Sequence, residues 1–219
     1  GMANLLSGHR DLANPAHRAE VAALWGVSSV PEKPGKTAVE MFQAAADGEI
    51  KALWIACTNP AQSMPDQATV RRALQRAEFV VVQEAFATAA TCDFADLLLP
   101  ATTWGEKEGT VTNSERRISR VRAAVAPPRA AGSADAPRHD WQIAVDFARR
   151  LERLFSAGPA PVAGPFDVAQ DSPGPAQPVK DLFPYSSPES LWNEHRESTR
   201  GRDLDITGLS YAMLDAAPQ

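Results

Sequence analysis

The sequence predicts a three-layer α/β fold, a parallel sheet flanked by helices, and three observations predict it. Short apolar runs at Lys51–Cys57, Phe79–Val82 and Asp96–Leu99 alternate with helical segments. Each run is almost continuously apolar, as strands covered on both faces are. Each also ends in polar residues, so right-handed crossovers would gather three polar ends on one sheet edge. The layering expected is Rossmann-like.

Taken in order, Asn14 caps a helix over Pro15–Trp25. A second helix is expected over Thr37–Ala46, stopped near Gly48, and leads into the first strand. Ala68–Ala77 follows as an amphipathic helix with Val70, Ala73, Leu74 and Ala77 on one face. After the second strand, a helical turn around Ala87–Asp93 leads to the third, which Pro100 ends. Thr110–Val125 changes character. Ile118, Arg120 and Arg122 alternate with small or apolar residues, which predicts a strand or hairpin on a half-exposed surface. Asp140–Phe155 closes the unit with a helix carrying Trp141, Val145, Ala148, Leu151 and Phe155. An α/β domain over 1–155 is therefore expected, with 111–125 as a small β-hairpin extension packing toward a neighbouring domain.

Prolines crowd between Gly158 and Pro188. Such a composition buries too little apolar surface to offset its ordering entropy, so 156–188 reads as a proline-rich linker or strap. Ser187 and Pro188 then supply a helix start, opening a C-terminal helical tail over 189–219.

Composition narrows the function classes. The chain has 219 residues, 44% hydrophobic and 22% charged, enough for one domain with a proper core. A net charge of −5 without a basic stripe argues against a nucleic-acid partner. Two cysteines, Cys57 and Cys92, build no disulfide framework, and a cytoplasmic location is expected. No apolar run approaches the roughly 18 residues a membrane span needs, and the opening residues lack a signal-peptide core.

The common catalytic signatures are missing. There is no GxGxxG, GxxxxGK[ST], HExxH, CxxC pair or GxSxG elbow. His9, His17, His139 and His195 are widely spaced and read as surface or capping residues. Cys57, at a strand end, reads as inert core, and Cys92 as a partly exposed thiol with no activating neighbour. No catalytic residue and no metal ligand is assigned.

What remains is the row of polar strand ends: Thr58-Asn59-Pro60, Gln83-Glu84, and Thr102-Thr103-Trp104 running into Glu106-Lys107-Glu108-Gly109. Amides and carboxylates suit a base edge or ribose, and a lysine suits a phosphate. Each end also has a plain structural reading: a turn at Asn59-Pro60, a solvated exit at Gln83-Glu84, and a surface charge cluster at 106–108.

Three strings carry a resemblance: ALWIACTNPAQSMPD, then VVVQEAFATAATCDFADLLLPATTWGEKEGTVTNSERRISRVRAAV, and HDWQIAVDFARRL. They resemble consecutive blocks of the molybdopterin oxidoreductase family. The opening GMANLLSGHRDLANPAHRAEVAALWG and the late LWNEHRESTRGRDLDITGLSYAMLD resemble its assimilatory nitrate reductase branch.

The resemblance implies a bis(molybdopterin guanine dinucleotide) molybdenum cofactor in the full-length enzyme, gripped between two α/β domains, this chain supplying part of one. It maps cofactor contacts onto Thr58, Asn59, Gln83, Glu84, Lys107 and Asp140. Asn113, Glu115 and Arg116 map onto turn and ion-pair positions that hold the hairpin against a neighbouring domain. The family's [4Fe-4S] cluster needs four thiolates, so it belongs to the full-length enzyme and not to this chain. By itself the chain is expected to be an incomplete segment of a nitrate reductase, inactive and without bound cofactor. Its expected partners are the remaining domains of the parent reductase, with self-association through uncovered surfaces. The alternatives are a stand-alone, non-catalytic binding domain of the same fold, or the equivalent segment of a formate dehydrogenase-like oxidoreductase.

Overall fold

The computed structural model describes residues 5–128, 136–156 and 182–217. Strands β1 (Leu5–Leu6) and β2 (Arg10–Asp11) form a small antiparallel ladder, which precedes helix α1 (Pro15–Trp25). Asn14 caps α1 by accepting from the amides of Ala16 and His17. Helix α2 (Ala38–Asp47) starts on a reciprocal Thr37/Glu40 capping box. Strand β3 (Ala52–Ala56), the single turn α3 (Pro60–Ser63), helix α4 (Gln67–Arg76) and strand β4 (Phe79–Glu84) form a βαβ unit. A 3-10 turn (Ala90–Phe94) leads to β5 (Leu97–Pro100). Strands β3, β4 and β5 pair in that order, all parallel, with Trp54 opposite Val81 and Gln83 opposite Leu99.

One face of this sheet is closed. Phe42 of α2 and Val70, Ala73 and Leu74 of α4 pack with Ile55, Val80 and Val82 in a contiguous core. Alternation along the strands decides which residues go there, so Val80 and Val82 are both buried while Phe79 is 45% exposed. Near-complete cover of both faces was the expectation, and the second face departs from it. There α5 (Asp140–Ser156) lays Phe147 edge-on against Trp54, with ring centroids 4.8 Å apart. Phe79, Val81, Leu97 and Leu99 line an apolar cleft of about 1000 Å³ beside it. The apolar runs are therefore real strands whose second face keeps an uncovered stretch.

Strands β6 (Gly109–Thr112) and β7 (Ile118–Val121) form the expected hairpin. Its turn is held by Asn113, whose Oδ1 accepts from the amides of Glu115 and Arg117. Arg116 takes a left-handed φ of 65° there. Most of the proline-rich stretch, residues 157–181, lies outside the described residues. Where the chain is described again it runs along α5, and Arg149 donates to the carbonyls of Phe183 and Tyr185. Helices α6 (Pro188–Glu197) and α7 (Tyr211–Ala216) then pack on the hairpin, burying Trp192 and Tyr211. No helix among the described residues is long and apolar enough to cross a membrane.

Candidate functional site

The carboxyl ends of β3, β4 and β5 open onto one cleft of about 460 Å³. Cys57, Gln83, Glu84, Thr102, Trp104, Lys107 and Asp140 are among the residues lining it. Asp140 arrives from far along the chain, and the backbone explains how. Arg138 makes a parallel bridge to Ala101, with the Arg138 amide donating to the Pro100 carbonyl and the Thr102 amide to the Arg138 carbonyl. That bridge extends the sheet edge by one residue and delivers the first turn of α5 to the rim.

Asp140 is the hub. Its Oδ2 accepts from Lys107 Nζ at 2.9 Å, and its Oδ1 accepts from Gln83 Nε2 at 2.8 Å and from the Cys57 thiol at 3.2 Å. Burial works to raise the Asp140 pKa, but the bonds from Lys107, Gln83 and Cys57 outweigh it, so its carboxyl titrates below the usual aspartate range. Gln83 is buried at 4% exposure, so Asp140 also satisfies an amide that water does not reach. Glu84 is oriented by its own turn, Oε1 accepting from the amides of Ala85 and Phe86. Trp104 is 64% exposed, and Lys107 Nζ lies 5.8 Å from its ring centroid. Thr102 is 2% exposed, and its hydroxyl has no hydrogen-bond partner among the described residues.

Of the six residues singled out from the sequence, Gln83, Glu84, Lys107 and Asp140 share this cleft. Thr58 and Asn59 are not among the residues that line it. Thr58 is exposed. Asn59 turns the other way: its Oδ1 accepts from the amide of Thr91 at 3.1 Å and from its hydroxyl at 2.7 Å. The Thr91 hydroxyl in turn accepts from the Ala61 amide at 3.1 Å. Asn59 thus ties the loop after β3 to the loop after β4, a structural task.

The two cysteines exchange the roles read from the sequence. Cys57 is exposed and Cys92 is buried. Cys57 has a left-handed φ of 59°, which ends the strand alternation and turns its side chain toward Asp140. Cys92 is packed in the core, its thiol 3.7 Å from the Phe86 carbonyl. Burial, and then the hydrogen bond to Asp140, push the Cys57 thiol up, and burial pushes Cys92 up too. Iodoacetamide applied to the native chain under mildly alkaline conditions should therefore modify Cys57 alone, and both cysteines after denaturation. Equal native labelling by peptide mass mapping would contradict this assignment of exposure. Sequence reasoning missed Cys57 as a lining residue, and named Thr102 and Trp104 as part of a polar strand end but not as cofactor contacts. All three lie at or just past a strand end, and that position was the available signal.

Comparison with known proteins bears on the whole chain. Residues 3–150 match the family model described as molybdopterin oxidoreductase. The chain is 43% identical over 216 residues to the nitrate reductase of Synechocystis, covering 98% of this chain and 26% of that protein. It is 36% identical over 214 residues to the assimilatory nitrate reductase catalytic subunit of Bacillus subtilis, covering 97% of this chain and 25% of that protein. The chain thus spans about a quarter of the length of these curated relatives. Among solved structures, acetylene hydratase from Pelobacter acetylenicus aligns with a TM-score of 0.52 over 78% of this chain and 20% of that one. At 18% identity that likeness concerns the fold alone. With its α/β sheet and a family model matched over most of its length, this chain belongs to the molybdopterin oxidoreductase family.

Proposed function

We propose that this chain forms part of the nucleotide-holding wall of a molybdenum-dependent nitrate reductase, and that its ligand is the guanine nucleotide tail of a molybdopterin guanine dinucleotide. The observation that carries the reading is the convergence of Gln83, Glu84, Lys107 and Asp140 on one cleft at the carboxyl edge of a parallel sheet. The donor set suits the group. A guanine edge offers N–H donors, and Asp140 and Glu84 are carboxylate acceptors. Lys107 suits a phosphate. Among the described residues Glu84 Oε2 makes no hydrogen bond, and the buried Thr102 hydroxyl is unpartnered. A bound nucleotide would satisfy both.

The nitrate assignment rests on the two reductases that align through the tail as well as the α/β unit. When bound, the molybdenum–pterin group supplies the redox chemistry. This chain's residues would bind and orient the nucleotide end. With two cysteines it cannot furnish the four thiolates of an iron–sulfur cluster, so the chain by itself is catalytically incomplete. The uncovered apolar stretch around Phe79, Leu97 and Phe147 supports packing against further domains of the parent enzyme, which would complete a three-layer, Rossmann-like arrangement.

Titration of the chain with GDP, followed by amide chemical shifts, tests the reading. An open cleft holds only part of a nucleotide, so a Kd on the order of 1 mM is expected, tighter than for ADP. Lys107→Ala should weaken GDP binding at least about 5-fold, and Asp140→Asn should remove the preference for guanine over adenine. GDP shifts that fall outside the cleft, or that neither variant alters, would overturn the proposal.

A further inference from the structure

Lys107 stands on a loop that the parallel sheet does not hold. After β5 the chain makes one 3-10 turn, Trp104–Glu106, closed by a Thr103/Glu106 box in which the Thr103 amide donates to Glu106 Oε2 at 2.8 Å. Gly109 then takes a φ of 153°, which a side chain would resist. Two anchors fix the loop. The Gly105 carbonyl accepts from the amides of Ala124 and Val125 at 2.8 and 3.0 Å. The second anchor is Arg120 of β7. Its guanidinium donates to the carbonyls of Gly109 at 3.0 Å and Val121 at 2.6 Å, and pairs with Glu108 Oε2 at 3.2 Å. Glu108 and Gly109 directly follow Lys107, so the pose of Arg120 decides where the lysine's backbone sits.

Arg120 is itself held by the C-terminal tail. Its Cζ lies 3.8 Å from the centroid of the Tyr211 ring, and Asp215 Oδ1 is 3.9 Å from its Nε. Asp215 also pairs with Arg122. Tyr211 is 7% exposed, and its ring lies 6.4 Å from that of Trp192. Among the described residues the Tyr211 hydroxyl has no hydrogen-bond partner, so the flat ring, and not the hydroxyl, makes the contact. None of the described tail residues is among those lining the cleft.

We propose that Tyr211 is a positioning residue for the cleft: stacked on Arg120, it sets the loop that aims Lys107 at Asp140 and at a bound nucleotide. The consequence for ligand rests on the nucleotide reading above. The consequence for the Lys107–Asp140 contact does not.

The test uses the full 219-residue chain and the variants Tyr211→Phe, Tyr211→Leu and Arg120→Lys, with Lys107→Ala as reference. The first readout is the carboxylate titration of Asp140 by carbon NMR, taken on chains whose core amide shifts remain native. Tyr211→Phe should titrate as the wild type, because the ring face is kept. Tyr211→Leu should move the Asp140 midpoint upward, toward its position in Lys107→Ala, and weaken GDP about 3- to 10-fold. Arg120→Lys keeps the charge and loses the flat face, so it should behave like Tyr211→Leu and decides the matter if the leucine variant fails to fold. A native-like Tyr211→Leu or Arg120→Lys chain with a wild-type Asp140 midpoint would overturn the proposal, as would equal effects of phenylalanine and leucine. If Lys107→Ala leaves GDP binding untouched, the nucleotide reading falls, while the Asp140 titration still decides the positioning role.

Discussion

Asn59→Ala is expected to destabilise the chain by about 2–4 kcal/mol. The replacement removes the acceptor for both the amide and the hydroxyl of Thr91, and Thr91 is fully buried at 0% exposure. Two donors would then lie out of reach of water, each costing about 1–3 kcal/mol, with some recovered by relaxation of the loops. The bond from Asn59 Nδ2 to Gln62 Oε1, at 3.0 Å, is exposed and adds little. Asn59→Asp retains a carboxylate oxygen for Thr91 and should recover most of the loss. Urea unfolding of the three proteins measures this directly. If alanine costs less than about 0.5 kcal/mol, the Asn59–Thr91 knot does not hold the two loops together. In native-like Asn59→Ala chain, GDP affinity should match the wild type, which separates a structural asparagine from a ligand contact.

Asp140→Ala is expected to be the most damaging single change within the cleft. It strands the Gln83 amide, buried and bonded to Asp140, and leaves Lys107 without its counter-ion. The loss of the acceptor for Gln83 alone should cost about 1–3 kcal/mol. The lysine pair adds less, because both side chains are about a quarter exposed, 26% and 29%. The same carboxylate produces a pH signature. Its pKa in the folded chain is lowered from the ordinary 3.8, so its contribution to stability is complete above that value and disappears as pH falls through the folded value. Asp140→Asn keeps an acceptor for Gln83 without titrating. Its stability should therefore fall less steeply with acid than that of the wild type below about pH 4. Parallel acid-unfolding slopes would show that the Asp140 carboxylate is not stabilised by folding.

Much of the α/β unit was legible before any coordinates. The helices over Pro15–Trp25 and Ala38–Asp47, and the three parallel strands, follow from caps and apolar runs whose period is local. The ladder of β1 with β2 and the single turn of α3 were missed, because two- to four-residue elements leave no periodicity to detect. The strands looked buried on both faces because Trp54, Phe79 and Leu97 are apolar, yet periodicity cannot say what covers them. Within the site, Gln83 and Glu84 were found because polar residues interrupt an apolar run. Asn59 interrupts one too, and its outcome differed. Composition at a strand end marks departure from the core without giving the direction of departure.

Local sequence by itself determined the longer helices, the three apolar strands and the polar character of their ends, because capping and strand propensity act over a few residues. Tertiary structure alone decided that Asp140 meets Cys57, 83 positions away in sequence, and that the Tyr211 ring stacks on the arginine that holds Glu108 and Gly109. Both contacts depend on where a β-bridge at Arg138 and a docked tail carry distant residues. Such placement is set by packing of whole elements, and no window of neighbouring residues encodes it.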